Sequence, residues 1–368
     1  MIPNRPRDPL PDSLRALALL SVLVVNALGY AAAPWGPTLG QRSPADGDAA
    51  ALVQGLVAAL LYGKGYPILA FVFGMALWLA AHGRARPEAL RRGTLRQRLL
   101  GLGVLHGALL YFGDILTLYA LVGQRLLRRL HAPWRSLRRQ LWFALGWAVL
   151  AKLALVAVAL HLADRPPSVD AASLSSVQTG WQFLKLNGGA YILSQFIAIV
   201  LAAPLLYLCM LAGVAAARLR LLSHRRWRPM LQRGLLRAGV PLLLVSLAYG
   251  WGCAMSDPSG VLYARLEAVG YLVDTPLAAA YIAALALLSS GGRAAWCRWV
   301  EPLGQRTLTL YVGHSLPCLL LFSGLGWALK ATTVQMLLFS LGLWLLALAA
   351  AALSGKKRWP LEAWMARR

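Results

Sequence analysis

HGALLYFGDILTLYALVG, residues 106–123, places a carboxylate in the middle of an apolar run. His106 opens the run and Asp114 follows a glycine at its centre. An ionised carboxylate in hydrocarbon-like surroundings costs roughly 3 kcal/mol or more unless a partner compensates it. The same surroundings extend along the whole chain. Hydrophobic residues make up 59% of its 368 residues and charged residues only 14%, with a mean hydropathy of +0.59. Soluble domains carry about 25% charged residues.

Apolar segments of about 17–25 residues recur, the length that carries a helix across a hydrocarbon core of about 30 Å. The two-residue alternation of barrel strands does not accompany them. The chain therefore reads as an all-α, polytopic integral membrane helix bundle, a single polytopic domain over 1–368. The hydropathy pattern predicts about ten transmembrane helices, at 14–33, 50–81, 97–112, 114–130, 139–162, 190–217, 236–255, 267–289, 303–323 and 332–353.

The net charge of +24 raises nucleic acid as a partner. The positions of the basic residues argue for no nucleic acid, because they sit between apolar spans without the length or aromatic interleaving of a binding domain. With the N-terminus placed in the cytoplasm, 30 of the 37 Lys and Arg residues fall in cytoplasmic segments and five in outer loops. That asymmetry predicts N- and C-termini in the cytoplasm and the lipid bilayer as the principal partner. Arg5 and Arg7 precede an apolar run ending in Tyr-Ala-Ala-Ala-Pro, which has the form of a cleavable signal. Arg15 and Asn26 inside that run favour an uncleaved first helix. The longest outer loop, 163–189, is Pro- and Ser-rich and ends with Trp181 and Phe183, an interfacial amphipathic pattern. The four cysteines show no ligand spacing, so the expectation is packing and no metal.

Between Arg98 and Arg125 the chain must go out and return in about 26 residues, whereas two full crossings need about 40. A short or re-entrant hairpin near residues 97–130 follows, with the Gly113–Asp114 turn at depth, where irregular backbone requires protein or water around it. Asp114 and His106 then read as a base and relay, as substrate ligands, or, for Asp114, as the cap of the following helix. Other polar groups lie within spans. Asp12 and Arg15 are spaced as a helical ion pair, and Asn26 lies three turns beyond Arg15 on the same face. Lys64 is flanked by glycines and followed by Pro67, which predicts a break in the second helix. Thr307, Tyr311, His314 and Ser315 share one face of the ninth span. Together these groups point to one polar interior chamber.

At these residues the chain resembles the YeiB-like bacterial membrane proteins, a family built on domain of unknown function 418. DSLRALALLSVLVVN (12–26), KGYPILAFVFG (64–74) and His-x7-Asp-Ile-Leu-x2-Tyr-Ala (106–120) resemble its N-terminal signatures, which lie within 12–123. Gly-x4-Thr-x-Tyr (304–311) and PLEAW (360–364) resemble its C-terminal ones, within 301–365. Three positions depart from the family pattern: Ala16 stands for a glycine, Leu310 for an asparagine and His314 for a glutamine. The first-helix pattern, Asp-x2-Arg with a later Asn, is similar to that of the transmembrane acyltransferase superfamily. The resemblance implies a bacterial inner-membrane location and acyl transfer from cytoplasmic acyl-CoA, acetyl-CoA or longer, as co-substrate. The acceptor would be extracytoplasmic or membrane-embedded, a small molecule, glycan or lipid.

For that reaction His106 and His314 are the candidate bases, with Asp114 orienting. Arg15, Arg98 and Arg306 are candidates for the CoA phosphates. Asn26 or Tyr119 would donate to the developing oxyanion. Asp12, Lys64 and Tyr311 complete the substrate-binding set. The HxxxxD motif of better-known membrane acyltransferases is absent. A transporter or flippase would use the same polar groups for substrate or protons, and a sensor or scaffold would bind without turnover. A homodimer is left open.

Overall fold

The fold was analysed in a computed structural model, which describes residues 8–31, 47–82, 94–163, 173–257, 260–289, 294–355 and 357–366. Arg5, Arg7, most of the Pro-rich part of the 163–189 loop and the terminal Arg367 and Arg368 lie outside the described residues.

Among the described residues the architecture is all helical. It runs α1 (Leu10–Ala31), α2 (Gly47–Leu60), α3 (Gly65–His82), α4 (Thr94–Leu109), α5 (Leu116–Leu127), α6 (Trp134–Ala163), α7 (Gly180–Leu201) and α8 (Ala203–Leu219). It continues with α9 (Arg228–Gly234), α10 (Val240–Met255), α11 (Val261–Leu288), α12 (Ala295–Gly304), α13 (Thr307–Gly313), α14 (Ser315–Phe322), α15 (Thr333–Leu353) and α16 (Pro360–Ala366). Among the described residues seven helical segments are long and apolar enough to cross a membrane, and three shorter apolar stretches, Leu116–Leu127, Ala203–Leu219 and Thr307–Phe322, accompany them. The chain is a helical membrane protein.

Burial separates centre from rim. The apolar window of α1 is 67% buried, that of α6 only 17%. α1 runs through the middle, with Trp344 of α15 donating its indole N–H to the Ala16 carbonyl at 2.8 Å. α6 faces outward with Trp142, Phe143 and Trp147 exposed, as a lipid-facing helix does.

Local chemistry moves several predicted boundaries. The span expected over 190–217 is two helices. α7 begins ten residues earlier because Thr179 and Gln182 form a capping box, and it ends before Pro204, which opens α8. On α7, Trp181 is exposed and Phe183 is buried, the expected amphipathic arrangement. The 50–81 span breaks at residues 61–64, between α2 and α3, as Lys64 and Pro67 predict. The 303–323 span starts in the last turn of α12, is interrupted at Gln305–Arg306, and continues as α13 and α14, with His314 between them keeping helical hydrogen bonds on both sides. A π-turn at Leu235–Gly239 precedes Pro241, which likewise cannot donate.

The 97–130 hairpin is α4 and α5, of 16 and 12 residues, joined by non-helical backbone at 110–115. At 1.5 Å per residue these helices span about 24 and 18 Å, each short of a full crossing. At the tip the Tyr111 and Asp114 side chains are buried, each 5% exposed, while Gly113 between them is exposed.

Helices α3 and α8 cross at backbone contact. A Cβ on Gly213 would lie 1.9 Å from the Phe71 carbonyl oxygen, and one on Gly74 would lie 2.0 Å from that of Met210. Small residues at such crossings let dispersion act between backbones. Gly213→Ala should destabilise the purified protein by about 1–3 kcal/mol through overpacking, read as a lower unfolding midpoint in detergent. Gly342→Ala in α15, where a Cβ meets nothing within 4 Å, should be neutral or slightly stabilising.

Candidate functional site

The tip of the α4–α5 hairpin is held by side chains from three directions. Asn187 of α7 donates to the Gly107 and Ala108 carbonyls, both at 2.9 Å, and Gln195 donates to that of Asp114 at 3.0 Å. Ser194 donates to Phe112 at 3.2 Å, and the Tyr30 hydroxyl of α1 donates to Leu110 at 2.8 Å. From α13, the Tyr311 hydroxyl accepts the Ile115 N–H at 3.2 Å. Each bond replaces one that the unwound chain cannot make with itself.

Asp114 serves both purposes that its place in the sequence suggests. One carboxylate oxygen accepts the Thr117 backbone N–H at 2.9 Å, capping α5, while the other lies 2.9 Å from His106 Nδ1. The far nitrogen, His106 Nε2, is 2.9 Å from the Ser315 hydroxyl. A carboxylate only accepts, so Nδ1 carries a hydrogen, and in the neutral imidazole Nε2 accepts from Ser315. His106 is 1% and Ser315 0% exposed. The order carboxylate, imidazole, hydroxyl is the one that activates a nucleophile in serine hydrolases on unrelated folds. The Tyr311 ring stacks at a tilt against His106, centroids 5.0 Å apart, and Thr117 bonds the Tyr191 hydroxyl at 2.8 Å.

His314 lies on the other side of Tyr311, ring centroids 6.3 Å apart. Its Nδ1 is 2.6 Å from the Tyr311 carbonyl, which can only accept. The neutral ring therefore carries its lone pair on Nε2, and this buried atom has no hydrogen-bond partner among the described residues. Asn26 Nδ2 is likewise buried without a partner.

Lys64 stands in a second polar centre. Its ammonium is 2.7 Å from Asp274 of α11 and 2.8 Å from the Ala58 carbonyl, 5.5 Å from the centroid of the Tyr249 ring. The Ala58 and Ala59 carbonyls at the end of α2 also accept from Tyr249 and Ser246, each at 2.6 Å, and Leu61 accepts from Ser21 at 2.6 Å. The break in α2–α3 is thus saturated by donors from other helices. Gly63 has φ +74°, and a Cβ there would strike the Asp274 carboxylate. The expected single chamber is therefore divided: His106, Asp114, Tyr311, His314 and Ser315 meet, while Lys64 pairs with Asp274. Tyr119 is directed away from the relay, its hydroxyl donating to the Tyr66 carbonyl at 2.7 Å.

A third group of polar contacts involves the arginines. Arg15 pairs with Asp12. Arg306, 3% exposed, donates to the carbonyls of Pro302, Gly355 and Lys357. Arg98 donates to the Trp364 and Met365 carbonyls at the end of α16. Glu362 accepts the backbone N–H groups of Leu308 and Thr309 at 2.8 and 3.0 Å, capping α13 from α16. The two C-terminal sequence signatures are the two halves of that contact. Among the described residues no trio of His, Cys, Asp or Glu is placed to hold a metal ion.

Residues 216–365 match the family model DUF418, described as a protein of unknown function. This part of the chain is similar to that family. It contributes Asp274, Arg306, Tyr311, His314, Ser315 and Glu362, while His106 and Asp114 come from the part before it. No curated protein matches the chain.

Three of these groups were not among the sequence-predicted site residues. Ser315 shows as a polar face position only. Asp274 carries the same signal as Asp114, a carboxylate within an apolar span, and Glu362 carries only the PLEAW signature. The Lys64–Asp274 pair yields a sign test. Lys64→Met should cost about 3–5 kcal/mol by stranding a buried carboxylate, and Lys64→Met with Asp274→Leu should recover most of that loss. Chemical or thermal unfolding of the purified variants measures both.

Proposed function

We propose that the protein is an acyltransferase of the bacterial inner membrane. It takes an acyl group from cytoplasmic acyl-CoA and passes it to an extracytoplasmic or membrane-embedded acceptor. Acetyl-CoA or a longer acyl-CoA is the donor, and a hydroxyl or amine on a small molecule, glycan or lipid is the acceptor. The observation that carries this reading is the buried Asp114–His106–Ser315 chain, with the unpartnered Nε2 of His314 beside it. Acyl transfer requires a base poised for an O–H or N–H proton, held in one tautomer by an orienting carboxylate. The bias of basic residues toward alternate loops supports cytoplasmic termini and hence a cytoplasmic donor. Asn26, with a buried amide nitrogen that lacks an acceptor, supplies a candidate oxyanion donor.

Arg15 is the candidate for the CoA phosphates that we take first; Arg306 is 3% exposed and donates to backbone carbonyls. The Arg15 side chain is 20% exposed at the start of α1, beside Asp12.

Transport is the second reading, and the helix breaks favour it. Discontinuous helices that meet buried charges, as at Lys64–Asp274, are how many transporters build substrate and ion sites.

Purified protein should bind acetyl-CoA or palmitoyl-CoA in a calorimetric titration, and Arg15→Ala should weaken binding about tenfold or more. His106→Ala should retain binding and lose about 10²–10⁴-fold in acyl transfer, followed by mass spectrometry of the acceptor. Absence of binding for every acyl chain length would reject the reading. Accumulation of a chemically unchanged solute in proteoliposomes would favour transport instead.

A further inference from the structure

We infer that Ser315 is the nucleophile of the proposed transfer and carries the acyl group as a covalent ester between donor and acceptor. The inference rests on the acyltransferase reading and adds a two-step route to it.

Other helical serines in this protein donate to main-chain carbonyls. Ser13 and Ser340 bond back to the carbonyl four residues earlier, at 3.0 and 2.9 Å, and Ser21 and Ser246 reach the Leu61 and Ala59 carbonyls, each at 2.6 Å. A carbonyl accepts a hydrogen bond and takes no proton from the hydroxyl. For Ser315 the equivalent carbonyl is that of Tyr311, and His314 Nδ1 already occupies it at 2.6 Å. The Ser315 hydroxyl turns instead to His106 Nε2, 209 residues away in sequence, at 2.9 Å. Its main chain is pinned as well, since the Tyr30 hydroxyl donates to the Ser315 carbonyl at 3.2 Å. Where those serines meet carbonyls, Ser315 meets a base.

The chemistry balances with the groups present. Ser315 Oγ attacks the thioester carbonyl carbon as its proton passes to His106 Nε2, and Asp114 stabilises the imidazolium. Collapse of the tetrahedral intermediate breaks the C–S bond, and the departing thiolate takes the proton from His106 to give free CoA. In the second half the acceptor hydroxyl or amine attacks the ester carbonyl. His106 Nε2, neutral again after the first half, takes the acceptor proton. The C–Oγ bond breaks, and Ser315 regains its proton from His106. The sum is acyl-CoA plus acceptor giving CoA plus acylated acceptor. A covalent carrier lets CoA depart before the acceptor arrives, which suits a centre this enclosed.

The test needs no variant to begin. Full-length protein in lipid nanodiscs is incubated with radiolabelled acetyl-CoA without acceptor, denatured and digested. Label on the peptide containing Ser315, released by hydroxylamine, is expected. Ser315→Ala should bind acetyl-CoA as the parent does, take up no label and transfer about 10³-fold more slowly. Ser315→Cys should accumulate a thioester at the same position. Transfer by the parent protein with label on a histidine, or with no label during turnover, overturns the serine nucleophile and leaves the acyltransferase reading standing. So does a folded Ser315→Ala variant with undiminished transfer. Failure of the parent to bind or turn over acetyl-CoA or palmitoyl-CoA removes both.

Discussion

A backbone carbonyl or N–H without a partner costs several kcal/mol inside a bilayer, and that cost governs this structure wherever a helix stops. The chain stops its helices repeatedly within the bundle: between α2 and α3, between α4 and α5, and between α12 and α13. At each interruption side chains from distant helices take over the lost bonds. The pattern explains why so hydrophobic a chain retains Asn187, Gln195, Ser246 and Glu362. They are donors and acceptors for broken backbone before they are anything else.

The same rule separates the two buried acidic centres. At Lys64–Asp274 the amine faces a carboxylate and also caps α2, so two of its donors are used within the joint. At Asp114 the carboxylate caps α5 with one oxygen and keeps the other for a histidine. A buried ion pair next to a saturated helix end has the character of a structural joint. A carboxylate that orients an imidazole toward a hydroxyl has the character of a reactive one. The contrast lies in what remains unused: Nε2 of His314, whose ring neighbours Tyr311 as that of His106 does, has no partner among the described residues.

Much of this was readable in the residues. Length and hydropathy sufficed for an all-helical membrane bundle, Gly113–Asp114 announced a buried hairpin tip, and Lys64 with Pro67 announced a broken helix. The start of α7 was hidden because Lys185, Asn187, Gly188 and Gly189 dilute the hydropathy there, and the capping box at Thr179 is the signal that locates it. The arginines were legible as cations at helix ends. Their partners were not, because Arg98 and Arg306 bind main-chain carbonyls, which carry no sequence signature. The decisive contacts join residues about two hundred positions apart, His106 to Ser315 and Lys64 to Asp274. Periodicity places each residue on a face of its helix and says nothing about which faces meet.

The C-terminal contacts tie the reactive centre to the opposite end of its helix. α13 carries Tyr311 and leads directly into His314 and Ser315, and its first turn is capped by Glu362, while Thr309 bonds both that carboxylate and the Leu361 N–H. Arg306 immediately before α13 grips the chain at Gly355 and Lys357, and Arg98 at the base of α4 grips the end of α16. α4 carries His106. The C-terminal segment therefore fixes the starts of the two helices whose far ends supply the imidazole and the hydroxyl. A helix is stiff along its axis, so an error of register at either start would be carried to the 2.9 Å contact between His106 and Ser315. On this view the PLEAW segment, remote from the reactive groups, belongs to the machinery that holds them in line.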